Sequence, residues 1–124
     1  MKEGPLVLLV EDEAVIALDL LRKLERAGCR VLGPAATGTE AEELARSGRP
    51  DLILMDNKLT GPIDGIEVAA RIRAWSKVPI IFMTGFSQDR VFQERARAVA
   101  PAGFLDKPIA LDALLKAVCA ACLR

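Results

Sequence analysis

Leu52-Ile53-Leu54-Met55-Asp56 is the stretch that decides how this chain folds. Four apolar residues in succession fit a parallel strand covered on both faces, which reads as a continuous hydrophobic run. The carboxylate closing the run then stands at the strand's carboxyl end, where open α/β sheets place their chemistry. The pattern repeats outward in both directions. Leu6-Val7-Leu8-Leu9-Val10 leads into Glu11-Asp12-Glu13. Pro79-Ile80-Ile81-Phe82-Met83 ends in Thr84, and Gly103-Phe104-Leu105 runs into Asp106-Lys107-Pro108. These strand ends offer acids, a hydroxyl and a lysine, the parts needed to hold a divalent cation and a phosphoryl group.

Helical patterns fill the intervals. Residues 14–27 carry Ala17, Leu20, Leu21 and Leu24 on one face at a 3.6-residue period, and Gly28 stops that helix. A short second strand follows at 30–33. Thr37 with Glu40, or Thr39 with Glu42, can cap a second helix running to Arg46, before the turn Ser47-Gly48-Arg49-Pro50. After the loop 59–65 a third helix presents Ile66, Ala69 and Ile72, and Trp75 is expected to pack at its end or to lie partly exposed. The fourth, 89–99, is rich in Arg, Gln and Glu and is expected to pack most loosely; Arg90, Arg95 and Arg97 read as a solvated face. The fifth, 110–123, points Leu111, Leu114, Leu115, Val118 and Cys122 inward. Five strand–helix units with short connections predict one doubly wound α/β domain over 1–124. This is a flavodoxin-like (βα)5 fold with a five-stranded parallel sheet of order 2-1-3-4-5, which makes the two acid-tipped strands neighbours.

Composition narrows the function. Among 124 residues, 17 Lys+Arg balance 17 Asp+Glu, which argues against direct nucleic-acid binding through a basic excess. The apolar runs are strand-sized, so no membrane span is expected, and Met1-Lys2-Glu3-Gly4-Pro5 lacks the apolar stretch of a signal peptide. A cytoplasmic protein is the expectation. Cys29, Cys119 and Cys122 read as reduced thiols. The C-x-x-C pair is assigned to helix packing, since the chain has no second pair and no histidine to complete a zinc site.

Glu11, Asp12 and Asp56 should cluster at one edge of the sheet. Like charges at close range disfavour one another unless a cation offsets them. An oxygen-only ligand set suits a hard cation, and Mg2+ (magnesium) is favoured because few protein ligands leave room for water and phosphate oxygens. Lys107 completes the charge balance.

With those residues in order, the chain resembles the receiver domain of two-component response regulators, CheY-like proteins, over nearly its whole length. The resemblance rests on Glu11-Asp12, Asp56, the Asp64-Gly65 pair opening a helix, Thr84-Gly85, and Lys107-Pro108. It implies that Asp56 is the phosphoacceptor for a sensor histidine kinase or a histidine phosphotransfer protein. It implies that Asp12 and Asp56 ligate Mg2+ directly, Glu11 through water, and Lys58 through its backbone carbonyl. Lys107 would pair with a phosphoryl oxygen and the Thr84 hydroxyl would donate to another. Lys107-Pro108 is expected to be cis. Phe104 falls at the family's switch aromatic; lacking a hydroxyl, it would act sterically, and with Thr84 it would remodel the face formed by the fourth helix, fifth strand and fifth helix. A homodimer through that face is left open, and the downstream effector is not legible. No enzymatic turnover is expected beyond self-phosphorylation and slow autodephosphorylation.

The loop Asn57-Lys58-Leu59-Thr60-Gly61-Pro62-Ile63-Asp64-Gly65 is one residue longer than the commoner family form, with a late proline. Lys58 and Phe86 flank the expected path of a hydrolytic water, and neither can position water as a carboxylate or amide would. A long phosphoryl lifetime is the expectation. Two other readings compete: a receiver-like docking scaffold that is never phosphorylated, and a Mg2+-dependent aspartyl phosphatase. The phosphatase class typically needs a second acid two residues after the nucleophile, where this chain has Lys58.

Overall fold

Strand and helix alternate along residues 4–85 and 89–122, the residues described in the computed structural model. They are β1 (Leu6–Val10), α1 (Ala14–Arg26), β2 (Arg30–Ala35), α2 (Gly38–Gly48), β3 (Leu52–Asp56), α3 (Gly65–Arg73), β4 (Ile80–Thr84), α4 (Arg90–Arg97), β5 (Gly103–Asp106) and α5 (Leu111–Cys122). The five strands form one parallel sheet in the order β2-β1-β3-β4-β5, as the sequence predicts. Alternate residues of the central strands feed two cores. Leu8, Val10, Ile53, Met55, Ile80 and Phe82 pack with α2, α3 and α4. Val7, Leu9, Leu52, Leu54, Ile81 and Met83 pack with α1 and α5. Covering on both faces is why these strands contain no polar alternation.

Local chemistry sets the helix ends. The Thr37 hydroxyl accepts from the Glu40 amide at 3.2 Å, and the Glu40 carboxylate accepts from the Ala36 amide at 3.1 Å. Asp64 caps α3 by accepting from the Glu67 amide at 2.9 Å. Gly28, at φ +86°, leads the chain from α1 towards β2. Both Gly33-Pro34 and Lys107-Pro108 are cis; the sequence anticipated the second.

Several expectations need correction. β2 continues past Gly33 to Ala35, because the Ala35 carbonyl accepts from the Glu11 amide at 2.9 Å and extends the ladder to the tip of β1. Leu115 is 37 % exposed, and Ala121 takes the buried position on α5 instead. Cys119 is exposed, so the C-x-x-C pair does not pack as a unit. Trp75, by contrast, lies where it is expected, partly exposed just past the end of α3, with the Arg46 guanidinium 4.4 Å from its ring centroid. Arg95 is not simply solvated: it reaches Asp64 at 2.8 Å and ties α4 to the start of α3.

Gly65 shows why a glycine follows the capping aspartate. A Cβ at this position would collide with the Asp56 carbonyl. Gly65→Ala is therefore expected to destabilise the fold by about 2 kcal/mol, by forcing apart β3 and α3 in a close-packed region. Urea unfolding without divalent cations would measure it; an unchanged midpoint would show that the contact relaxes freely.

Candidate functional site

The sheet register carries the functional side chains to one edge. Val10 pairs with Met55, Asp56 with Met83, and Thr84 with Asp106. The residues at or just past these tips, Glu11, Asp12, Asp56, Thr84 and Lys107, therefore converge. The Lys107 amide donates to the Thr84 carbonyl at 3.0 Å, which fixes the lysine backbone against β4. Asp56 and Thr84 are buried at 4 % and 2 % exposure, at the floor of a cavity of about 340 Å3. Asp12, Lys58, Leu59 and Gly85 contribute to its walls.

The electrostatics centre on Lys107. Its Nζ donates to Glu11 Oε1 at 2.9 Å and to Asp56 Oδ1 at 3.1 Å. The Glu11 side chain is fully buried, and its Oε2 accepts from the Glu13 amide at 3.2 Å. Burial pushes the Glu11 carboxyl above its ordinary range, with the Asp56 charge adding to the push; the Lys107 hydrogen bond opposes both without cancelling them. Burial also works against the Lys107 ammonium, but its hydrogen bonds to Glu11 and Asp56 outweigh that and raise its pKa.

One carboxylate oxygen from each of Glu11, Asp12 and Asp56 lies within 4.8 Å of the others. Three oxygen donors this close suit a hard divalent cation, and the open cavity beside them leaves room for water and a phosphoryl group. The donor set thus fits Mg2+.

The structure brings together Glu11, Asp12, Asp56, Thr84 and Lys107, and lines the cavity with Lys58, whose amide donates to Asp56 Oδ1 at 3.4 Å. Phe104 stands apart on β5, 41 % exposed. Its ring stacks on Phe82 at 6.1 Å and meets Phe92 of α4 edge-on at 5.7 Å. Phe86 lies outside the described residues. Thr60 was not anticipated. Its hydroxyl donates to Asp12 Oδ2 at 2.9 Å across 48 positions of sequence. Its backbone bridges to Thr37, joining the loop after β3 to the loop after β2.

A five-stranded doubly wound sheet with an acidic cup at the carboxyl ends of its strands defines a class, and comparison with known proteins places the chain within it. The family model for the response regulator receiver domain matches residues 7–119. The chain belongs to that family. It is 41 % identical over 112 residues to the transcriptional regulatory protein PdtaR of Mycobacterium tuberculosis, an alignment covering 90 % of this chain and 54 % of PdtaR. The chain thus spans about half the length of that relative. Among solved structures, the signal receiver domain of a modulated diguanylate cyclase from Desulfovibrio desulfuricans superposes with a TM-score of 0.89 at 43 % identity, covering 97 % of this chain and 94 % of that one. The receiver domain of the sensor histidine kinase PA1611 from Pseudomonas aeruginosa, which holds a magnesium ion in its active-site cleft, superposes with a TM-score of 0.87 at 30 % identity, covering 98 % and 99 %. Among the described residues, no helix is long and apolar enough to cross a membrane.

Proposed function

We propose that this chain is the phosphoacceptor switch of a two-component phosphorelay, a single receiver domain over 1–124 acting in the cytoplasm. The observation that carries the reading is the Asp56 carboxylate at the cavity floor, 3.1 Å from the Lys107 ammonium and clustered with the carboxylates of Glu11 and Asp12. In this reading an Asp56 oxygen attacks the phosphorus of a phosphohistidine on a histidine kinase or phosphotransfer protein. The new O–P bond gives an acyl phosphate as the N–P bond breaks and the imidazole leaves. Lys107 pairs with one phosphoryl oxygen as a point charge, and the Thr84 hydroxyl donates to another. Asp12, Asp56 and the Lys58 backbone carbonyl would hold Mg2+ directly, with Glu11 acting through water. The ion would supply charge neutralisation at the phosphoryl oxygens.

The output would run through Thr84 and Phe104. Phe104 packs on Phe82, two residues before Thr84, and on Phe92 of α4. A movement of Thr84 towards a phosphoryl group alters the packing beneath Phe104, and a few kcal/mol of differential stabilisation is enough to shift the balance of two states. The α4–β5–α5 face would then meet an effector or a second copy of the chain.

Incubation with Mg2+ and acetyl phosphate tests the reading. Saturable addition of one phosphoryl group, lost with EDTA, supports it. No modification would favour the docking scaffold, and sustained turnover of a free phosphate ester would favour the phosphatase. Lys58→Asn is expected to shorten the phosphoryl half-life several-fold by placing a water-orienting amide at the cavity rim. An unchanged half-life, followed by mass spectrometry after removing the donor, would discard a lifetime role for Lys58.

A further inference from the structure

We infer that Thr60 is a positioning residue for the cation site, holding Asp12 in a ligating orientation through its hydroxyl. This rests on the proposed Mg2+ site and adds to it a residue of the extended loop. The hydroxyl donates to Asp12 Oδ2 at 2.9 Å. Asp12 is only half-buried and stands in a turn just past β1, so its rotamer is not fixed by packing as that of Glu11 is. A donor on one oxygen leaves lone pairs on the carboxylate for a cation, since each oxygen accepts twice.

The donor itself is held firmly. The Thr60 backbone bridges to Thr37, whose own hydroxyl caps α2. On either side of Thr60, Leu59 and Ile63 pack against the core. The loop closes where the Gly65 amide donates to the Asn57 carbonyl at 2.9 Å. Thr60 is β-branched, which restricts its χ1 further. A hydrogen-bond partner of a metal-ligating carboxylate fixes its orientation. Thr60 does this from the loop after β3, so the two halves of the acidic cup, one from β1 and one from β3, are joined by a side chain as well as by the sheet.

The test is calorimetric titration of the full chain with Mg2+ alone, for the wild type, Thr60→Val and Thr60→Ser, with urea midpoints taken in EDTA. Valine keeps the shape and the branching and removes only the donor. Thr60→Val is expected to bind Mg2+ about 10-fold more weakly, the lower end of such effects because the position is exposed. Thr60→Ser, which keeps the hydroxyl, is expected to stay within about threefold of the wild type. Midpoints in EDTA should match throughout. Equal affinity in Thr60→Val overturns the inference. So does equal loss in Val and Ser, or a fall in the EDTA midpoint that accompanies the loss, since either would assign the effect to loop packing. A wild type that binds no Mg2+ would instead remove the cation site itself, a separate result.

Discussion

Asp56→Asn is expected to abolish phosphoryl transfer, lowering the rate of labelling by acetyl phosphate by at least about 10³-fold, to below detection. The amide is nearly isosteric. Its carbonyl can still accept from the Lys58 amide and from Lys107, which stand 3.4 Å and 3.1 Å from Asp56 Oδ1. The fold and the cavity should therefore persist, while the anionic nucleophile is gone. A second readout separates chemistry from collapse. Asparagine removes one of three clustered negative charges, so the urea midpoint in EDTA should not fall, whereas the stabilisation by Mg2+ should shrink. For the wild type that stabilisation is roughly 1.4 kcal/mol when Mg2+ is about 10 times its dissociation constant. Intact-mass and peptide mapping after acetyl phosphate treatment settle the matter. A label that persists in the variant, on Glu11 or Asp12, would assign the nucleophile elsewhere.

Lys107→Met should give the largest loss of stability, about 3 kcal/mol at neutral pH without divalent cation. Methionine keeps the apolar stem but removes the ammonium that holds Glu11 at 2.9 Å. The Glu11 side chain is completely buried, so its charge would be left without its cation. The pH dependence follows from the raised carboxyl. An acid whose folded pKa lies above its unfolded value adds stability that is fully present below the ordinary 4.5 and is lost as pH rises through the folded value. In EDTA the wild type should thus weaken as pH climbs above about 4.5, and Lys107→Met should weaken further and to higher pH. Lys107 adds its own limb: its stability is present below 10.5 and lost as pH rises through its raised value, and this limb should vanish in the variant. Adding Glu11→Gln to Lys107→Met should recover most of the loss, because the buried group is then neutral. Failure of that rescue would mean that the lysine stem, not the charge pair, carries the stability.

These predictions draw on residues that were legible in the chain to different degrees. Glu11, Asp12, Asp56 and Thr84 close the runs of β1, β3 and β4, and strands buried on both faces cannot be written any other way; Lys107 follows the short edge strand β5, which is only partly buried. Once the alternation of strands and helices fixes the sheet, their convergence follows from topology. Asp64-Gly65 was readable for a similar reason: a helix start needs an acceptor, and the close approach to Asp56 needs a residue without a side chain. Leu115 and Cys119 are exposed against expectation because an apolar period shows that a helix has an inner face but not how wide that face is. On α5 the contact is narrow, and Leu114, Val118 and Ala121 fill it.

The sequence by itself determined the order of the strands, the chemistry of their tips and the oxygen-rich character of the acidic cup. Each of these is set by burial and chain connectivity, which leave a trace in the sequence as unbroken apolar runs for the strands and a 3.6-residue period for the helices. Only the tertiary structure decided that Thr60 grips Asp12, that Arg95 ties α4 to Asp64, and that Phe104 rests between Phe82 and Phe92. Those contacts join loops and helix faces far apart in the chain. A loop's path obeys no period, and a side chain's partner there is chosen by the packing of everything around it.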